Sequence, residues 1–137
     1  MNEHVIVRQS SDFEAEFQAQ PPDADQPGEV QPVTRIHELT PYTMMLASLG
    51  VCTTIVLHTY AQHHNIDLQE AELHLIYKRS SEDETEFEEW IEQELSLDGE
   101  LSEDERQKLS KVARQCSIHK MLEEGIMIES QPMVEME

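Results

Sequence analysis

Between Thr40 and Asn65 the chain reads TPYTMMLASLGVCTTIVLHTYAQHHN, a run without a single Asp, Glu, Lys or Arg. Thr40 and Pro41 read as the N-cap and first residue of a helix. The threonine hydroxyl can accept an orphan amide, and proline has no amide to lose. Behind them Met44, Met45, Leu46, Leu49, Val51, Ile55, Val56, Leu57 and Tyr60 place apolar groups on nearly every face. A one-sided surface helix would keep a polar face opposite its stripe, so this helix must be covered all round. Lipid is the poorer cover. A membrane span wants about 20 mostly apolar residues, whereas Ser48, Thr53, Thr54, His58 and Thr59 interrupt this one, and no basic flank orients it. We therefore read a buried core helix and expect no membrane. Wrapping such a helix completely is hard for one chain of 137 residues, which points to a second copy and a homodimer.

Charge narrows the partners. With 29 acidic against 9 basic residues the formal charge is −20. Such a surface repels phosphate backbones and anionic lipid, so nucleic acid is not an expected partner. The length fits one domain, 1–137. The first ten residues hold no basic segment followed by an apolar one, so the expected location is cytoplasmic. In that reducing setting Cys52 and Cys116, the only two cysteines, are reactive groups or plain core residues rather than a standing staple.

Along the chain, Val5–Arg8 and Asp12–Phe17 read as strands around a Ser10-Ser11 turn, with Phe13, Ala15 and Phe17 on a half-buried face. Residues 18–34, rich in Pro, Gln and Asp, read as a loop. Part of Val30–Ile36 could add a third strand. After the helix, Ala71–Lys78 alternates Leu73, Leu75 and Tyr77 with polar residues, a strand with one buried face. Phe87, Trp90, Ile91 and Leu95 have helical spacing, yet Phe87, Ile91, Leu95 and Leu97 share one strand parity; periodicity alone favours helix. Asp98-Gly99 is a turn signal. Ser102 and Glu105 form a capping box, and Leu109, Val112, Ala113 and Cys116 follow at i, i+3, i+4, i+7, placing Cys116 on a helix's buried stripe. Ile118–Glu124 reads as a further short helix ended by Gly125, Ile126–Ile128 as a last strand, and residues 130–137 as a loose tail.

Two blocks then carry a likeness. TPYTMMLASLGVCTTIVLHTYA resembles the central-helix signature of the OsmC/Ohr superfamily of thiol-dependent hydroperoxide reductases, through Pro41, Tyr42, Leu46, Ala47, Leu49, Gly50, Cys52, Thr53, Tyr60 and Ala61. DGELSEDERQKLSKVARQCSIHKML is similar to the family's second block, through Gly99, Leu101, Leu109, Ala113, Cys116, Ile118, His119, Lys120 and Leu122. The likeness spans about Glu38 to Ile128. It implies an α+β fold, with antiparallel sheets around long central helices in an intertwined homodimer, and it makes Phe87–Leu97 a strand.

The resemblance also implies roles. Cys52 stands where the family has its peroxidatic cysteine and Cys116 where it has the resolving one. Thiolate attack on a peroxide leaves a sulfenic acid, which a second thiol condenses into a disulfide, and an external dithiol or lipoyl-type reductant reopens it. No bound cofactor and no metal are expected. His63 and His64, being adjacent, point to different helix faces, and no further ligand sits at zinc spacing.

Cys52 lies about three turns, roughly 18 Å, inside its helix, beyond the reach of that helix's own dipole. A buried thiol needs a charge or a donor to ionise, and Arg35, oriented by Glu38, is the candidate. A solvated Arg35 and a capping Glu38 are the alternatives. The family's glutamate after Pro-Tyr is Thr43 here, and the proline after the second cysteine is Ser117. The expected activity is reduction of organic hydroperoxides, with Met44, Met45, Val51, Ile55 and Trp90 as apolar surroundings. A redox sensor or small apolar-ligand binder of the same fold is the alternative, favoured by Thr43. An acidic interaction protein with two inert cysteines would leave both blocks unexplained.

Overall fold

The computed structural model describes residues 2–22, 29–81, 83 and 85–132. Within them the chain is α+β: one antiparallel sheet with three helices packed on a single face. The strands are β1 (Asn2–Ser10), β2 (Ala15–Ala19), β3 (Gln31–Pro32), β4 (Asp67–Arg79) and β5 (Glu89–Glu100), in the order β3-β2-β1-β4-β5. A 3-10 turn (Ile36–Glu38) leads into α1 (Pro41–His63). After β5 come α2 (Glu103–Val112), a 3-10 turn (Ala113–Gln115) and α3 (Ser117–Glu124).

The α1 start forms as its sequence requires. The Thr40 hydroxyl accepts the Thr43 amide at 3.1 Å, and the Thr43 hydroxyl accepts the Thr40 amide at 2.7 Å, a reciprocal capping box with Pro41 in the first turn. Thr43 thus closes the box that a glutamate would close in the family pattern. Along the helix Leu46, Ala47, Gly50, Thr54, Leu57, His58 and Ala61 are buried, and the chemically polar ones are satisfied locally. Thr53 and Thr54 donate to the carbonyls of Leu49 and Val51, at 2.9 and 3.1 Å. The His58 Nε2 lies 2.8 Å from the Gln9 carbonyl.

Beneath α1 the sheet presents Val5 and Val7 from β1 and Ala71, Leu73, Leu75 and Tyr77 from β4, all fully or almost fully buried. The register aligns them in rows, Val5 against Leu75 and Val7 against Leu73. Gly50 marks the closest approach of helix to sheet: a Cβ there would lie 2.6 Å from Val7 Cγ2 and 2.9 Å from Leu75 Cδ1. A second apolar cluster joins the far end of α1, through Leu57 and Ala61, to Leu109 and Val112 of α2 and Leu68 of β4.

Several expectations need correction. The all-round cover of α1 is not provided by one chain: Met44, Ser48, Ile55 and Thr59 remain exposed on its outer face. By length and composition α1 is the one helix among the described residues that could cross a membrane, but its packing against the sheet is that of a core helix. Phe13 is not in a strand but in the β1–β2 turn, with φ at 66°. The 18–34 loop is narrower than expected, since β2 runs to Ala19 and β3 occupies Gln31–Pro32; residues 23–28 lie outside the described residues.

The Phe87–Leu97 conflict resolves as strand. Ile91, Leu95 and Leu97 share the inner face, and Trp90 donates to Glu92 at 3.2 Å. Asp98-Gly99 is no turn but part of β5, opposite a register shift at Leu68–Glu70. Gly99 adopts φ +143°, and any Cβ would lie 2.0 Å from the Asp67 carbonyl oxygen, so this glycine serves a close backbone approach. Cys116 is buried as expected, but at the junction after α2, where it becomes the N-cap of α3. Ile126–Ile128 forms no strand, and these residues are 68–82 % exposed. Of the tail, residues 133–137 lie outside the described residues.

Candidate active site

The site is assembled where the middle of α1 meets the start of α3. α2 ends at Val112, the 3-10 turn carries the chain to Cys116, and α3 begins at Ser117. A new helix exposes main-chain amides at its first turn, which need partners. Here two sulfurs supply them. The His119 amide donates to Cys116 Sγ at 3.4 Å, and the first-turn amides of Ser117 and Ile118 favour the ionised form of Cys52. The Ser117 hydroxyl lies 3.9 Å from Cys52 Sγ, at the long end for a hydrogen bond to sulfur. The two thiols, 64 positions apart in sequence and both unbridged, are close enough that each shifts the ionisation of the other.

Electrostatics separates the pair. Burial pushes the Cys52 thiol up, but hydrogen bonds from the Cys116 thiol, the Ile118 amide, and the hydroxyl and amide of Ser117 outweigh it, leaving Cys52 below the ordinary thiol range. Cys116 moves the other way. Burial raises it, and its own S–H is held by Cys52, against smaller opposing bonds from the His119 amide and the Thr53 side chain. One sulfur is therefore set up as the anion and its neighbour as the proton carrier. Cys52 is partly exposed; Cys116 is fully buried.

Arg35 is placed differently from its sequence expectation. It is exposed at the entry to the 3-10 turn, has no ion pair among the described residues, and is not among the groups acting on Cys52. Glu38 accepts from the Thr34 amide and hydroxyl, at 3.3 and 3.0 Å, rather than from Arg35. The groups that act on Cys52 within the chain come from the α3 terminus and the neighbouring thiol. Ser117 and Ile118 were missed in that role. Their signal was present, since a residue entering an amphipathic stretch directly after Cys116 has a free amide to offer.

Next to the thiols a groove of about 500 Å³ runs between α1, α3 and the inner faces of β4 and β5. Met45, Leu49, Tyr77, Trp90, Ile91 and Leu122 form its apolar walls, with Glu89, Gln93, His119 and Glu123 as the polar part of the lining. The sulfurs are not part of its lining. Leu49, three residues before Cys52, and His119, whose amide holds Cys116, connect the two. Of the expected apolar neighbours, Met45 and Trp90 line this groove, Val51 is half-buried in the core, and Met44 and Ile55 face outward. Tyr77 donates to Glu89 at 2.9 Å and stacks on Tyr42 at 4.7 Å; burial and that carboxylate push its hydroxyl up to about 12.

A single-sheet α+β fold whose long core helix and a following short helix bring two free thiols together defines a class of dithiol protein. The OsmC-like protein family model matches residues 37–131, well over half the chain, and the chain belongs to that family. Solved structures agree on the fold. An OsmC-like hydroperoxide resistance protein from Jannaschia sp. CCS1 superposes with a TM-score of 0.62 at 14% identity, over 97% of this chain and 94% of that one. An OsmC-like protein from Mycoplasma pneumoniae gives 0.54 at 18% identity, over 86% of this chain and 85% of that one. Comparison with curated protein sequences finds no match.

Proposed function

We propose that the chain is a thiol-dependent peroxidase acting on organic hydroperoxides. The observation that carries this reading is the meeting of both free thiols at the α3 N-terminus, where Cys116 caps the helix and Cys52 lies 3.9 Å from the Ser117 hydroxyl. The Cys52 thiolate attacks the distal peroxide oxygen, the O–O bond breaks, and the leaving alkoxide takes up a proton to depart as an alcohol. Cys52 is left as a sulfenic acid. Cys116 loses its proton and attacks that sulfur, releasing water and closing a disulfide. An external dithiol, of which a lipoyl-type compound is one, reopens it by two exchange steps. The name of the Jannaschia relative, a hydroperoxide resistance protein, supports the substrate class. The apolar walls of the groove suit an alkyl peroxide better than hydrogen peroxide.

The reading includes a homodimer in the cytoplasm, where dithiols stay reduced. The outer face of α1, with Met44, Ser48, Ile55 and Thr59 exposed and no charge among them, supports the second copy. It also keeps Arg35 as a stabiliser of the Cys52 anion, oriented by Glu38. For that role Arg35 must approach Cys52 more closely than it does in the isolated chain, and unchanged peroxide reactivity in Arg35→Ala removes the assignment.

A second reading, a sensor or apolar-ligand binder without turnover, is favoured by one observation. Thr43 spends its hydroxyl on the helix cap, so no carboxylate stands at that position to orient a cation. Consumption of tert-butyl hydroperoxide with a dithiol, by wild type and Cys52→Ser, distinguishes the two. Catalytic turnover abolished in the variant supports the enzyme. A single stoichiometric oxidation supports the sensor, and no thiol loss contradicts both.

A further inference from the structure

We propose that Ser117 is a thiolate-anchoring residue, holding the Cys52 sulfur as the anion through both its hydroxyl and its own main-chain amide. The proposal rests on the peroxidase reading for its purpose, but not for its test. Position decides the matter. Ser117 is the first residue of α3, so its amide is one of those a helix leaves unbonded, and it faces a sulfur on a different helix. Its side chain adds a second donor to the same atom at 3.9 Å. A proline there would bring neither donor, an alanine only the amide. The amide is held in place by the helix start, and the hydroxyl can turn its proton toward the sulfur as it ionises.

Few other ionisable groups compete for the effect. On the junction and α3 there are Cys116, already bonded to Cys52; His119, whose ring pairs with Glu123; and Arg114 and Lys120, both exposed. From the sheet, Tyr77 is engaged with Glu89, and Glu3 reaches only Thr40.

The test is the pH dependence of Cys52 alkylation by iodoacetamide, read on the Cys52 peptide by mass spectrometry so that Cys116 does not contribute. Wild type, Ser117→Ala, Ser117→Thr and Ser117→Pro are compared, each checked for a native unfolding transition. Losing one hydrogen bond to the anion is expected to slow Cys52 alkylation about 2- to 10-fold at a pH below its midpoint. That slowing comes with a raised midpoint and an unchanged plateau at high pH. Threonine restores the wild-type profile, and proline, lacking both donors, moves the midpoint further than alanine. Identical profiles in wild type and Ser117→Ala overturn the proposal, as does a uniform loss of rate at every pH, which would signal altered access. Alkylation needs no peroxide. If tert-butyl hydroperoxide is not turned over while the Ser117 variants shift the profile, the peroxidase reading fails and the anchoring role stands. Turnover with unshifted profiles gives the reverse.

Discussion

At the scale of single residues, the two cysteines have the same chemistry but different surroundings, and the difference is one of donors. Cys52 is held low by Cys116 and by the first turn of α3, whereas burial and the nearby Cys52 hold Cys116 high. The sign of the pH dependence follows. A thiol held below its ordinary range ionises at a lower pH than one held above it, so its reactivity persists to lower pH. Titration of the two peptides by alkylation is expected to give the lower midpoint at Cys52 and the higher at Cys116. Cys116→Ala removes a donor, so the Cys52 midpoint rises in that variant. A fall, or no change, would mean that the neighbouring thiol does not hold the anion. The cysteines were legible in the sequence because each sits inside a recognisable block. The donors were not. The free amides of Ser117 and Ile118 exist only because the chain leaves α2 through a 3-10 turn and starts a new helix, and the periodicity through Leu109, Val112 and Cys116 reads just as well as one unbroken helix.

Among the elements, α1 was the most legible, since Thr40-Pro41 fixes its start and an uncharged run of that length has few other fates. β4 was nearly as clear from its strict alternation. β5 was not, because Trp90, Ile91 and Leu95 satisfy a helical period as well as a strand parity; pairing with β4 decides between them. Gly99 misled for a related reason. Glycine supplies a turn and a close backbone approach equally well, and only the register shift beside Asp67 tells which. Gly50 can be tested directly. In a helix interior Gly→Ala ordinarily gains up to about 1 kcal/mol, but here the added methyl meets Val7, whose β-branched side chain has little freedom to yield. Overpacking of this kind costs about 1–3 kcal/mol. Gly50→Ala is therefore expected to destabilise the fold by roughly 1–2 kcal/mol in urea unfolding. A variant as stable as wild type or more stable would show that α1 rides farther from β1 than described.

For the whole molecule, two features act against each other. The outer face of α1 exposes Met44 and Ile55 without charge, which favours a second copy. The chain's −20 charge repels one, and that repulsion is screened by salt. Sedimentation is expected to give a dimer whose dissociation constant falls as salt rises. Ile55→Glu should shift it to monomer while leaving the fold intact. A wild-type monomer at every salt concentration would leave the helix face unexplained. The surface charge was readable from composition, and so was the need for cover beyond one chain; which residues of α1 stay bare, Met44, Ser48, Ile55 and Thr59, was not. The central claim concerns the sulfur pair, and one measurement addresses it most directly: disulfide mapping of unreduced wild-type protein after one equivalent of tert-butyl hydroperoxide. The account predicts a Cys52–Cys116 bond within single chains in nearly all molecules. Cys52 recovered as sulfinic acid beside a free Cys116, or both thiols recovered unoxidised, would contradict it.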